Sequence, residues 1–275
     1  MKPIGFFTLL CAALCWAGCA EKEIIIPELK AGKRKVLVEE LTGVRCQGCP
    51  DGTRQLIDLQ RQYGKKNLIV LSIHAAGNFS QPYTSPPANL YDFRFPKANE
   101  LANYIGDAEG YPTASINRQA LPGAQSLFVS RDKWAGLIAE EFAQDFEINL
   151  LLGKTYDPET RNVRLETTIN PLKTLTGDLR LTLFMAQDSI VDVQQDGATR
   201  VPNYVHRHVL RHILTASDGD RIPESLDANA LILKAYDLTL DPAWEPKHCS
   251  VIAVLHRGEN SDKEVIQVTE TYILE

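Results

Sequence analysis

The chain has 275 residues, of which 44% are hydrophobic and 23% charged, the proportions of soluble globular structure rather than of a disordered chain or a membrane bundle. Its length suits two folded units with short extras. The formal net charge is -6. Lys2 is the single charged residue among the first 18, so the remainder carries 28 basic and 35 acidic residues, a balance of -7. Nothing here offers the basic footprint that nucleic acid requires, and anionic lipid surfaces are disfavoured as well.

Met1-Lys2 gives a minimal charged start, Ile4 to Trp16 an apolar run, and Ala17-Gly18-Cys19 a small-residue exit, the pattern of a secretory signal peptide over residues 1–18. The run is too short for a comfortable permanent span, which takes about 20 residues. The small-small-Cys ending resembles the lipobox of bacterial lipoproteins, which implies acylation of Cys19 after cleavage. Trp16 stands where that pattern prefers an aliphatic residue, and an ordinary signal peptide cut nearby is the alternative. Residues 19–34 then read as a tether, polar at Ala20-Glu21-Lys22-Glu23 and basic towards Lys35. A tether of this kind lets a lipid sit in a membrane while the folded body stays in water.

Six cysteines divide into Cys11, Cys15 and Cys19 near the leader, the close pair Cys46 and Cys49, and the distant Cys249. One local pair makes no multi-disulfide scaffold. Cys249 opens an apolar run and reads as a small buried hydrophobe.

Lys35 to Leu41 is a short apolar run closed by Thr42-Gly43, consistent with a buried strand. Cys46-Gln47-Gly48-Cys49 follows at once, and Thr53 to Tyr63 then carries an apolar stripe at helical spacing, stopped by Gly64. Asn67 to His74 is a second strand. The order predicts a β-α-β unit with parallel strands and a right-handed crossover. A cysteine at a helix amino terminus faces unpaired N–H groups and the positive end of the helix dipole, which favour thiolate. By the usual order of exposure in such motifs, Cys46 is the attacking thiol and Cys49 the resolving one. No second C-x-x-C exists to complete a zinc site, so neither metal nor cofactor is expected.

Residues 75–96, rich in Asn, Ser, Pro and aromatics, read as a functional loop or lid. A short helix is predicted over 97–105, and a closing helix over Arg131 to Gln144. Between them Pro112 opens the β-compatible run Gly110 to Asn117. The strand, C-x-x-C, helix, strand and Tyr111-Pro112-Thr113 order resembles the thioredoxin superfamily. That resemblance implies an α/β thioredoxin-like domain over 35–144, with Pro112 a cis-proline packed against the cysteines. Tyr111 and Thr113 would then present an extended substrate. A trans proline at a strand start is the alternative. Val44-Arg45 replace the Trp that commonly precedes the motif.

From Asp145 the pattern changes to alternating strands separated by turn signals: 146–152, 162–169, 178–185, 231–240, 248–257 and 263–274. This is the grammar of an all-β immunoglobulin-like sandwich over 145–275, one face of each strand buried and one in water. Asn203 to Leu214, between strands, holds His206, His208 and His212. No carboxylate is interleaved with them, and a loop-packing or interface role is expected rather than a metal site.

With Glu39-Glu40-Leu41-Thr42-Gly43, the cysteine pair and the leader, this segment resembles the Omp28-related outer membrane proteins of Bacteroidetes. The resemblance implies an outer-membrane lipoprotein held by a lipid on Cys19, with a thioredoxin-like domain followed by an immunoglobulin-like one. Two activities stay open. One is thiol-disulfide exchange with protein thiols, using Cys46, Cys49 and Pro112. The other is non-catalytic surface binding or adhesion, with Cys46-Cys49 a structural disulfide.

Overall fold

The computed structural model describes residues 33–259 and 262–274. The leader, the lipidation candidate Cys19 and most of the tether lie outside them. Strand β1 (Val36–Leu41) and strand β2 (Leu68–Ile73) run parallel, joined by helix α1 (Cys49–Tyr63). Pro50 sits in the first turn of α1, where its missing N–H costs nothing. Gly64 ends the helix at positive φ while its N–H closes on the Gln60 carbonyl. Helix α2 (Pro96–Ile105), strand β3 (Thr113–Ile116) antiparallel to β1, the short strand β4 (Val129–Ser130), one 3-10 turn and helix α3 (Trp134–Phe142) follow.

The remainder is strand: β5 (Ile148–Asp157), β6 (Asn162–Pro171), β7 (Leu175–Thr176), β8 (Leu179–Gln187), β9 (Ile190–Asp196), β10 (Thr199–His206) and β11 (Val209–Ile213). Then come β12 (Asp220–Arg221), β13 (Ser225–Leu226), β14 (Ile232–Thr239), β15 (Cys249–Arg257) and β16 (Val265–Tyr272). Nine strands form one mixed sheet in the order β16-β15-β8-β11-β2-β1-β3-β4, with β12 paired to β8. A three-stranded antiparallel sheet, β14-β6-β5, and the ribbons β9-β10 and β7-β13 complete the strands.

The large sheet crosses the change of pattern at Asp145. Its joint is β11, which runs antiparallel to β8 and parallel to β2, where Val209 registers with Ser72 and the Ser72 N–H reaches the His208 carbonyl at 2.8 Å. One apolar layer covers the same face from end to end. Leu37, Ile69, Leu71 and Ile73 pack with Leu101 and Ile105 of α2, and with Phe184, Leu210, Ile252 and Val268. On the other face, Val36, Val38, Leu68 and Val70 meet Leu56 of α1 and Trp134 and Ile138 of α3. Further along that face, Leu181, Leu183, Met185 and Val251 meet Ile148, Leu165 and Ile169 of the three-stranded sheet.

Strands β8 and β15 are therefore buried on both faces, in contrast to the one wet face that alternation predicts. Having α2 on one side and a sheet on the other leaves them no solvent. Cys249 is fully buried in the second of these cores, as its sequence context implies.

If β11 and its neighbours complete the sheet, a fragment of residues 33–144 should expose β2 as a bare edge and strip the inner face of Ile69, Leu71 and Ile73 of half their partners. We expect the whole chain to unfold in one transition by circular dichroism, and the fragment to self-associate or unfold without cooperativity. A monomeric fragment with a sharp transition of its own would contradict the shared core.

Candidate functional site

Strand β1 ends at Leu41, and a tight turn closed by the Cys46 N–H on the Gly43 carbonyl (3.0 Å) delivers the motif to the start of α1. Gly43 is required there, because a Cβ would collide with the Phe79 carbonyl. Cys46 and Cys49 are joined in a disulfide. Cys49 is the first residue of α1, and Gly48 caps the helix without a side-chain hydrogen bond; the Cys49 N–H closes on the Cys46 carbonyl and the Asp51 N–H on that of Gly48. Both cysteines are equally buried, at 1% exposure, so the difference in accessibility that would make Cys46 the outer thiol is not present.

The Tyr111-Pro112 bond is cis. Pro112 packs on the motif: its Cδ lies 3.5 Å from where a Cβ on Gly48 would stand, and its Cβ 3.2 Å from the same point on Gly52. Tyr111 is stacked on Phe79 with ring centroids 5.2 Å apart. Thr113 is buried, its hydroxyl donates to the Val129 carbonyl at 2.9 Å, and its strand has β1 on one side and β4 on the other. Of the three, Pro112 is the one these distances set against the motif, and Thr113 offers no free strand edge.

The sulfurs are covered by the ribbon β9-β10. The Gln195 N–H reaches the Val44 carbonyl at 2.8 Å and the Gly197 N–H the Gln47 carbonyl at 2.9 Å. The Gln194 amide donates to the Gly43 and Cys46 carbonyls, and Arg54 of α1 pairs with Asp196 at 3.0 Å. The loop after β2, expected as a lid, is fastened to this ribbon. Asp192, itself buried, accepts the N–H groups of Leu90 and Tyr91, and Tyr83 donates to Gln195.

Behind the motif lies a carboxyl that the sequence reading did not single out. Glu40 is fully buried; one oxygen accepts the Ser72 hydroxyl at 3.3 Å and the other has no partner. Its unpartnered oxygen is 3.0 Å from the Cβ position of Gly52, in the first turn of α1. Burial pushes its pKa up to about 8. Its neighbour Glu39 differs on every count, since it points to the other face and is held by Arg118 at 2.6 Å, both side chains fully enclosed. The available signal was two adjacent carboxylates inside a strand whose other positions are apolar.

A narrow crevice beside Cys49 is lined by Pro50, Thr53, Ser72, His74, Gln194, Tyr204 and His206 among others. It encloses about 10 Å³, room for about one water. His74 directly follows β2 and His206 ends β10; both are buried, and their ring centroids are 6.2 Å apart. The three histidines of the 203–214 segment do not converge: His208 lies 3.6 Å from Asp188, and His212 is half-buried on β11. Among the described residues no group of three metal-ligating side chains is found.

Glu40 sets a pH dependence. Its folded pKa stands above its unfolded one, so its contribution to stability is complete below about 4.5 and is lost as pH rises through about 8. Across that window each pH unit costs about 1.4 kcal/mol at most. Urea unfolding of Glu40→Gln should lack this slope and leave the variant more stable than the parent at pH 9. Parallel pH profiles for the two proteins would show that Glu40 is ionised in the folded state.

The arrangement is that of a mostly β, mixed-sheet protein carrying a buried disulfide at a strand-to-helix junction. The family model of outer membrane protein Omp28 matches residues 98–275, and the chain belongs to that family. The match begins after the cysteine motif. Among solved structures, HBP35 of Porphyromonas gingivalis is similar at 21% identity and a TM-score of 0.67, covering 87% of this chain and 75% of that one, a likeness of fold alone. A domain of the outer membrane lipoprotein Omp28 from Porphyromonas gingivalis aligns at 15% identity over 48% of this chain and 91% of that one. Its TM-score of 0.32 is too low to carry an argument. No curated protein matches. No helix among the described residues is long and apolar enough to cross a membrane.

Proposed function

We propose that this is an outer-membrane lipoprotein, anchored through Cys19, whose thioredoxin-like part exchanges disulfides with protein thiols of the envelope while an immunoglobulin-like part supports it. The observation that carries the reading is the Cys46-Cys49 disulfide at the β1-to-α1 junction, packed against cis Tyr111-Pro112, with the uncharged carboxyl of Glu40 behind it. In the reaction a partner thiolate attacks the Cys46 sulfur, the bond to Cys49 breaks, and Cys49 leaves as thiolate. The dipole of α1, at whose first residue Cys49 stands, favours negative sulfur at this position. A buried carboxyl with a pKa of about 8 is matched to giving or taking a proton near neutral pH.

The 1% exposure of both sulfurs beneath β9-β10 favours a second reading, in which the disulfide is a clamp and the protein binds a surface ligand. Equilibration with glutathione separates the two. Exchange predicts a potential between roughly -270 and -120 mV, the spread of catalytic pairs, and loss of scrambled-ribonuclease turnover in Cys46→Ser. A couple below about -300 mV with no turnover would mark a clamp. For the anchor, Cys19→Ser should move the protein from the membrane to the soluble envelope fraction; unchanged membrane recovery would remove Cys19 from the account.

A further inference from the structure

Nine buried side-chain nitrogen or oxygen atoms among the described residues lack a hydrogen-bond partner, and three of them are ring nitrogens of His74 and His206. Both rings line the crevice that Cys49 also lines, and Cys46 does not. Burial drives the pKa of His74 down to about 3 and that of His206 to about 4, so both are neutral at pH 7. Arg211 and Asp92 face His74, Asp192 faces His206, and Glu40 stands beyond Ser72. A neutral imidazole carries one N–H in either tautomer. Apart from a loose approach to the Ser72 backbone, neither ring nitrogen of His74 has a hydrogen-bond partner while the disulfide is closed, so its N–H lacks a well-placed acceptor.

A disulfide sulfur is a weak acceptor and a thiolate a charged, strong one. Opening the bond therefore supplies the acceptor that the crevice lacks. We propose that His74 is a positioning residue that donates a hydrogen bond to the Cys49 thiolate, directly or through one crevice water, and so favours the open form. The inference rests on the exchange reading for its step. The partner sulfur bonds to Cys46, the Cys46-Cys49 bond breaks, and its electron pair stays on Cys49. The partner sulfur is thus oxidised into a mixed disulfide as Cys49 is reduced, and the imidazole keeps its proton. A second partner thiolate, attacking the mixed disulfide, completes the reduction.

The test is the equilibrium constant of the Cys46-Cys49 couple with glutathione, read by mass spectrometry of the alkylated peptide after a denaturing quench, on the full chain. His74→Phe fills the space without a donor, and we expect it to shift the equilibrium about tenfold towards the disulfide, about 30 mV. His74→Gln keeps an N–H and should stay within about threefold of the parent, a rescue that a purely structural role would not give. The oxidised form of His74→Phe should melt no lower than the parent, because the substitution removes an orphan donor. If that variant does not fold, His74→Leu is read in the same way. A Phe or Leu variant with the parent's equilibrium constant, or a Gln shift equal to that variant's, overturns the proposal. Were the parent to turn over scrambled ribonuclease while the variants left the constant unmoved, this inference alone would fail. Were the shift to hold without any turnover, the exchange reading alone would fail.

Discussion

Burial of β1 and β2 on both faces is the constraint from which the rest of the molecule follows. A polar side chain in such a strand has to be paired or lose its charge, because an isolated ion in an apolar interior is too costly. Glu39 is held by Arg118, and Arg34 and Asn117 both reach Glu141, so these charges are paired. Glu40, His74 and His206 are neutral and gather around α1 and the disulfide. Removing one member of a charged pair strands its partner, whereas Glu40, His74 and His206 each carry an unpartnered atom already.

The cover over the sulfurs has a size that can be judged. Two backbone hydrogen bonds and the two that the Gln194 amide donates contribute about 1 kcal/mol each, and the Arg54-Asp196 pair, more than half exposed on the Arg54 side, at most about 1 kcal/mol. Lifting the tip of β9-β10 from the motif thus costs about 5 kcal/mol, within the range of local openings in folded proteins. Near-complete burial in the closed state is compatible with exchange at a reduced rate. The anchoring of the loop after β2 to the same ribbon, through Asp192 and Tyr83, means that loop and ribbon rise together or not at all.

Local pattern made β1, α1, β2, α2 and α3 legible within a few residues, since each rests on an apolar run or stripe with a clear start or stop. The same pattern misjudged β8 and β15. Leu183-Phe184-Met185-Ala186 and Val251 to Leu255 are continuous apolar runs, the mark of strands covered on both faces, and reading them as half-wet lost that information. The β9-β10-β11 stretch was harder. Its histidines and arginines break the apolar rhythm, and His208 takes a positive φ between two strands, so nothing local announces a ribbon and then a sheet strand. Cys46, Cys49 and Pro112 were visible as motif. Glu40 and His74 were not, because what distinguishes them is the absence of a partner, and that is settled by residues far along the chain.

The family match begins at Ala98, so the cysteines, Glu40 and His74 lie before it, while Gln194, Tyr204, His206 and Val209 lie within it. The walls of the crevice come from both sides of that boundary. Strand β11, which seals the edge of β2, and the ribbon that covers the sulfurs also come from the matched segment. The surroundings of Cys49 are therefore coupled to the packing of the segment that the family model matches. A change in how β9-β10 sits would alter the surroundings of the disulfide even where every residue of the C-x-x-C motif is retained. In this chain the cysteine motif supplies the disulfide, and the family segment sets its exposure and about half of the groups that line the crevice beside it.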